Sequence, residues 1–159
     1  MAPDETSAAV AQIDVELAPG ADENGFAVMM ADLVRQNLEA KPHKRKDFAA
    51  LSGDVAIVVE DADVALTMSF RRGKLTIHDG VSGIPDATIR GDADSVIAMS
   101  NVPLSRRLGI PWAAPRDKAS VEALKGFVAA MRTGRVHVFA RLGAYPMLGR
   151  LTRVMSVHG

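Results

Sequence analysis

Apolar residues recur along this chain at two spacings, one typical of helices and one of strands. The clearest helical stripe has an apolar residue at every third or fourth position and consists of Phe26, Met29, Met30, Leu33, Val34 and Leu38. Such spacing puts all six side chains on one face of a helix. Asn24 or Asp22 is suited to cap its start, and Pro42 to stop it.

Apolar residues at every second position predict a series of strands after this helix. The alternating segments are 55–59, 64–70, 75–77, 87–89 and, near the end of the chain, 136–140. One face of each segment is apolar and the other is small or polar, which is typical of an antiparallel sheet covered on one side. We therefore expect helices to pack on one face only.

Further helices are predicted to begin after Asp92 and after Asp117, and at the C-terminal end. The apolar face of the last helix consists of Met147, Leu148, Leu151, Val154 and Met155. Residues 13–17 alternate as a short strand, either an extra edge strand or a segment that pairs with a partner. The basic run at 41–46 is interpreted as a solvated loop, with attraction to anionic lipid headgroups as the alternative.

Composition narrows the classes of function. The chain has 19 basic and 19 acidic residues, so no global positive field favours nucleic acid. It has no cysteine, which excludes thiolate catalysis and zinc–thiolate sites. The start of the chain shows no secretory pattern, and a cytoplasmic location is the simplest expectation. Eight methionines and few aromatic residues indicate a soft aliphatic core, either filled or holding an adaptable cavity.

The sequence contains no recognisable catalytic or metal-binding motif. The four histidines form no His-x-x-x-His pair, and His78 and His137 are out of phase with their apolar neighbours on strands. We interpret both as surface residues, with a ligand or general base as the alternative. Asp92 and Asp94 would open a calcium loop, but Val96 and Ile97 stand where a ligand and a glycine are needed, so helix capping is preferred. We expect no enzyme activity and no cofactor.

The order of elements resembles the sterol carrier protein-2 (SCP2) family. Three segments carry the resemblance: the strand at 64–70 with the turn at 72–75, the stretch 85–92, and 131–138 leading into the last strand. The similarity extends over about residues 24–157. The segment 101–116 is longer and richer in proline than the family pattern requires.

The resemblance implies an α+β fold, with a five-stranded, mostly antiparallel sheet and helices packed on one face. A sixth strand joins the sheet if residues 12–18 form an edge strand. It also implies opposite sheet edges for the strands of His78 and His137. We assign residues 1–23 to an N-terminal tail and residues 24–159 to a single lipid-binding domain.

An apolar tunnel between the sheet and the last two helices is the binding site that the resemblance implies. The predicted ligand-binding residues are Met68, Phe70, Ile77, Met99, Trp112, Phe127, Met131, Val138, Leu148, Leu151 and Met155. The alternative is that these side chains simply pack together. Trp112 and Tyr145 either flank a portal or pack in the partly buried core.

Three functions stay open at this point. The first is non-enzymatic binding or carriage of a sterol, fatty acid, acyl-CoA or other lipid, with transient membrane contact. The second is an accessory or oligomerisation module of a lipid or quinone biosynthesis assembly, with a homodimer formed through residues 12–18. The third is an enzyme with unrecognised chemistry, which the missing motifs disfavour.

Overall fold

A mixed sheet of six strands forms the centre of the computed structural model, which describes residues 13–102 and 115–156. Its strands are β1 (Asp14–Leu17), β2 (Ser52–Val59), β3 (Val64–Arg71), β4 (Lys74–Asp79), β5 (Ala87–Gly91) and β6 (Val136–Ala140). They lie in the order β1-β4-β3-β2-β5-β6. The pairs β1–β4 and β2–β5 are parallel and the other three are antiparallel.

This architecture confirms the predicted α+β fold and its mostly antiparallel sheet. The sheet has six strands because the N-terminal segment joins it. In β1, Val15 lies opposite Leu75 of β4, so the segment is an edge strand of its own chain. The expectation that His78 lies on an edge strand is therefore wrong, since β1 covers that side of β4. His137 does lie on an edge strand, β6.

Five α-helices accompany the sheet within the described residues. They are α1 (Gly25–Ala40), α2 (Lys44–Ala50), α3 (Ala93–Ala98), α4 (Lys118–Arg132) and α5 (Tyr145–Met155). Of the two candidate caps for α1, Asn24 and Asp22, the structure shows Asn24. Its side chain accepts hydrogen bonds from the backbone N–H groups of Phe26 and Ala27. Asp92 caps α3 by accepting from the N–H of Ser95, which confirms the capping interpretation. Asp117 caps α4 in the same way by accepting from the N–H of Ser120.

The basic run was wrongly interpreted as a loop, since it begins helix α2. Lys44 in its first turn is buried, and the ring of Phe48 packs edge-on against Phe70 with centroids 6.3 Å apart. One lysine and one phenylalanine thus turn inward on a helix of seven residues. Cationic side chains are seldom buried, so a run of lysine and arginine residues in a sequence normally indicates a solvent-exposed segment.

The two faces of the sheet differ as the alternation predicts. Inward-facing residues such as Leu66 and Met68 are fully buried beneath the helices. The outward face carries cross-strand ion pairs, for example Lys74 with Glu16 at 2.8 Å and Arg90 with Glu60 at 2.6 Å. Charged pairs that stay in water add little stability, so packing on the inner face holds the fold together.

Candidate functional site: an apolar cavity between sheet and helices

A cavity of about 570 Å³ lies between the inner face of the sheet and the helices. Its floor is formed by β2, β3, β5 and β6, and its walls by α1, α3, α4, α5 and the short 3-10 turn Met99–Asn101. Its volume falls within the range of about 300–1,000 Å³ typical of small-molecule sites. The sheet therefore leaves room under its helices for a ligand.

Most of the residues predicted from the sequence line this cavity. They are Met68, Met99, Phe127, Met131, Val138, Leu148, Leu151 and Met155. The alternation of β3 and β6 points Met68 and Val138 inward. The helical stripes of α4 and α5 supply five others, and Met99 comes from the 3-10 turn Met99–Asn101. The structure thus brings residues from five separated segments onto one surface.

Two predicted residues lie elsewhere, and this corrects the sequence assignment. Phe70 faces the same side of the sheet as Met68, but Phe48 of α2 packs against its ring and fills the space above it. Ile77 on β4 lies opposite Met68 on β3 and is fully buried. Helix α1 packs against this part of the sheet. Trp112 lies outside the described residues.

Residues that the sequence did not assign complete the cavity wall. From α1 come Phe26, Met29, Met30 and Leu33, and from other elements Ile57, Ile89, Val96, Ile97, Ser100, Ala140 and Thr152. Tyr145, which the sequence left open between a portal and the partly buried core, lines the cavity as well. The apolar stripe of α1 was visible in the sequence but was interpreted as ordinary core. A stripe shows which face of a helix turns inward, and it does not show whether that face meets a packed neighbour or a gap.

The mouth of the cavity is marked by large apolar side chains that stay in contact with solvent. Met29, Ile97 and Met131 line the cavity and are each more than 40% exposed. Tyr145, at the first turn of α5, also lines it and is 62% exposed. A cluster of exposed apolar groups around an opening is typical of a surface that meets another apolar phase.

The polar side chains of the wall are three hydroxyl groups, on Ser100, Tyr145 and Thr152, and the other lining residues are apolar. Ser100 donates its hydroxyl proton to the carbonyl oxygen of Ile97 at 2.7 Å. Thr152 donates to the carbonyl oxygen of Leu148, also at 2.7 Å. The surface that a ligand would meet is therefore uncharged.

Helix α5, which forms one wall, is held at its C-terminal end by side chains of α1 and α2. The amide nitrogen of Asn37 donates to the carbonyl oxygens of Val154 at 3.1 Å and Met155 at 2.9 Å. The Nζ of Lys44 donates to the carbonyl oxygen of Ser156. Carbonyls of the last helical turn lack partners within the helix, so both residues act as C-terminal caps.

Nothing in the described part of the chain forms a cluster of three or more side chains that could hold a metal ion. His137 stacks on Phe139 on the outward face of β6, with ring centroids 6.1 Å apart. Among the same residues, no helix is long and apolar enough to cross a membrane.

The fold and the cavity define a class of protein: an α+β domain that encloses apolar space between a mixed sheet and the helices on one of its faces. The model of the SCP-2 sterol transfer family matches residues 32–107. The matched stretch includes two of the three segments that carry the resemblance, 64–75 and 85–92, and the model describes the same family that these segments resemble. Comparison with curated protein sequences found no significant match.

Solved structures extend the likeness to most of the chain. A UbiJ-SCP2 ubiquinone synthesis protein is 14% identical, with a TM-score of 0.54, over 84% of this chain and 95% of its own. Sterol carrier protein 2 is 15% identical, with a TM-score of 0.45, over 80% and 91% of the two chains. The sec-alkylsulfatase Pisa1 from Pseudomonas sp. is 15% identical with a TM-score of 0.46, over 72% of this chain and 14% of its own. At this identity the first of these structures shares the fold with the present chain.

Proposed function

We propose that this chain binds an apolar ligand, a lipid or sterol-like molecule, in its cavity and carries it without catalysing a reaction. The observation that supports this is an uncharged cavity of about 570 Å³ with an apolar mouth. A core filled only by its own side chains would leave no such space, because protein interiors normally pack as densely as organic crystals. The sequence match to a sterol transfer family points to the same kind of ligand.

The affinity expected from burial suits a carrier. A chain of about 14 methylenes gains about 11 kcal/mol gross on leaving water. Association costs at least about 4 kcal/mol, which leaves at most about 7 kcal/mol, or a Kd near ten micromolar. Binding of this strength suits a carrier, which must also release its ligand.

Ligand entry is proposed to occur during transient contact with a membrane. The exposed side chains of Met29, Ile97 and Tyr145 surround the opening and would enter the headgroup region first. Lys118, Lys125 and Arg132 of α4 are exposed on the helix that borders the opening, where they suit anionic headgroups. Sedimentation with vesicles of neutral and anionic phospholipid tests this, and equal absence of binding to both would contradict it.

Native mass spectrometry before and after denaturing extraction tests ligand binding itself. A co-purifying lipid that leaves on denaturation supports the proposal. Val138→Trp should block binding, because Val138 faces the cavity from β6. Phe139→Trp is the matched control, since Phe139 is the next residue on the same strand and lies on the outward face. An apo mass that takes up no added fatty acid or alcohol would refute the carrier.

A second candidate is an accessory or oligomerisation module without a ligand of its own. It is favoured by the fold shared with a UbiJ-SCP2 ubiquinone synthesis protein over 95% of that chain. In the described residues, β1 uses one edge to pair with β4, and its other edge has no strand partner. A homodimer through 12–18, measured by light scattering together with a ligand-free mass, would support this candidate over the carrier.

A further inference from the structure

The two edges of the sheet differ in how their outward backbone groups are covered. Next to β1, the amide of Ala18 donates to the carbonyl oxygen of Ile77 in β4. Neighbouring residues of a strand point their backbone groups to opposite sides, so those of Val15 and Leu17 face away from the sheet. The outward carbonyl oxygen of Val15 accepts a hydrogen bond from the guanidinium of Arg35 at 2.8 Å. A charged side chain placed in this way hinders the pairing of an edge strand with another chain.

The edge strand β6, at the opposite side of the sheet, is not covered in this way. The carbonyl oxygen of Arg135 and the amide of Arg141, which flank the strand, bond to backbone groups next to β5. By the same alternation, the odd-numbered residues of β6 face β5, whereas Val138 and Ala140 point their N–H and C=O groups outward. Within the described residues, these outward groups have no hydrogen-bond partner. The β6 edge thus offers donors and acceptors to another strand.

The side chains of β6 do not protect this edge either. Its five residues include no proline, lysine or arginine, which are the residues that commonly block edge strands. Phe139 is 58% exposed and stacks on His137 on the outward face of the strand. An exposed aromatic ring beside unpaired backbone groups favours the addition of a strand, because aromatic cross-strand pairs are stabilising.

The charge around β6 indicates which kind of strand fits. Arg135 and Arg141 flank the strand and are both exposed, and Arg141 lies 3.7 Å from the carboxylate of Asp86. From residue 123 to residue 159 the sequence has six lysine or arginine residues and no Asp or Glu. A second copy of this region would bring like charges together, which is destabilising across a strand pair. An acidic segment would instead place carboxylates next to the two arginines.

We propose that β6 is the docking edge for an extended, acidic segment of a partner protein, which pairs with it as an additional strand of the sheet. The backbone of that segment bonds to the outward groups of Val138 and Ala140, and its acidic side chains lie opposite Arg135 and Arg141. In strand addition the backbone hydrogen bonds provide affinity and the side chains provide specificity. The docking edge lies outside the cavity, so this interaction does not depend on the binding of an apolar ligand.

A synthetic peptide tests the proposal without knowledge of the natural partner. The probe is the acetylated and amidated heptapeptide Glu-Val-Thr-Val-Thr-Val-Glu, whose length matches residues 135–141. Its sequence reads the same in both directions, so parallel and antiparallel pairing place the same residues opposite β6. The control peptide has lysine in place of both glutamates. At low salt we expect the acidic peptide to bind at least about tenfold more tightly than the control, and the difference to shrink as salt is added.

Amide hydrogen exchange measured by NMR locates the bound peptide. The outward amides of Val138 and Ala140 should exchange at least about tenfold more slowly at saturating peptide than without it. The amides of His137 and Phe139 already bond within the sheet and should be protected in both states. The outward amide of Leu17 in β1 should be unaffected.

Two variants separate the backbone contribution from the charge. Ala140→Pro removes an outward donor but no hydrogen bond within the sheet, and should abolish peptide binding. Arg135→Glu and Arg141→Glu together should reverse the preference, so that the lysine-ended peptide binds more tightly. This double variant changes exposed side chains only and keeps the test valid if the proline variant folds poorly. Arg150→Glu, at an exposed position on α5, is the matched control and should leave the preference unchanged.

Several results would overturn the proposal. If neither peptide binds, or if binding protects Leu17 rather than Val138 and Ala140, β6 is not the docking edge. Equal binding of the two peptides would exclude an acidic partner. A dimer in light scattering that protects the amides of Val138 and Ala140 without any peptide would show that a second copy of the chain occupies the edge.

Discussion

The buried Lys44 makes a definite prediction about pH. Its side chain is 3% exposed, and its Nζ donates to the carbonyl of Ser156 at the end of α5. Burial, and to a lesser extent the charge of Lys41, lowers the pKa of Lys44 from 10.5 to about 8, while Asp47 acts in the opposite direction. The folded state thus holds the lysine proton more weakly than the unfolded state does.

The sign and size of the effect follow from this difference in pKa. Below pH 8 both states carry the proton, and the folded state bears the full cost of burying the charge. Between about pH 8 and 10.5 the unfolded state binds more protons, so the free energy of unfolding rises with pH. The gain from this one group is at most about 3 kcal/mol.

Urea denaturation of the wild type and Lys44→Met between pH 7 and 10.5 measures this gain. The variant removes the buried charge, which stabilises the fold near pH 7. It also removes the hydrogen bond to Ser156, which costs about 1–3 kcal/mol and offsets that gain. The advantage of the wild type should then grow with pH. Lys46→Met, exposed on the same helix, should give a profile parallel to the wild type. Parallel profiles for Lys44→Met would refute the assignment of Lys44 as a buried, titrating group.

Two further substitutions probe the framework around the cavity. Gly91→Ala should destabilise the fold by about 1–3 kcal/mol in thermal or urea unfolding, because a Cβ there would lie 2.6 Å from the backbone oxygen of Arg135. Gly126→Ala in α4 meets nothing within 4 Å and should be stabilising by about 0.5–1 kcal/mol, so equal effects at both glycines would contradict this reasoning. Asn24→Ala should destabilise the fold by about 1–2 kcal/mol. It removes the cap of α1 and the hydrogen bond that the side-chain amide of Asn24 donates to the carbonyl oxygen of Ala65 at 3.0 Å. An unchanged urea midpoint for Asn24→Ala would show that neither bond stabilises the fold.

The sheet could be predicted from the sequence because its strands have one buried face. Apolar residues then recur at every second position, and this pattern is easy to detect. The segment at β1 was less certain because four residues of alternation do not show which strand they join. Helix α2 was missed for a different reason. Its sequence begins with Lys44, Arg45 and Lys46, and only the packing of α5 above Lys44 explains why a lysine is buried there.

The cavity was predictable in its chemistry but less so in its outline. Inward-facing positions such as Met68 and Val138 follow from alternation, and α5 shows its own stripe. Whether an inward residue meets space or another side chain depends on distant segments. Phe70 meets Phe48, which is 22 positions away in the chain, whereas Met68 meets the gap. Local patterns carry no information about such long-range contacts.

The order of strands divides the sheet into two regions with separate roles. β1 and β4 contribute no residue to the cavity, while β2, β3, β5 and β6 all do. Substitutions at the cavity-lining positions leave the packed side chains of β1 and β4, such as Val15, Leu75 and Ile77, in place. The lining of the cavity can therefore vary in sequence while the core around β1 and β4 stays the same.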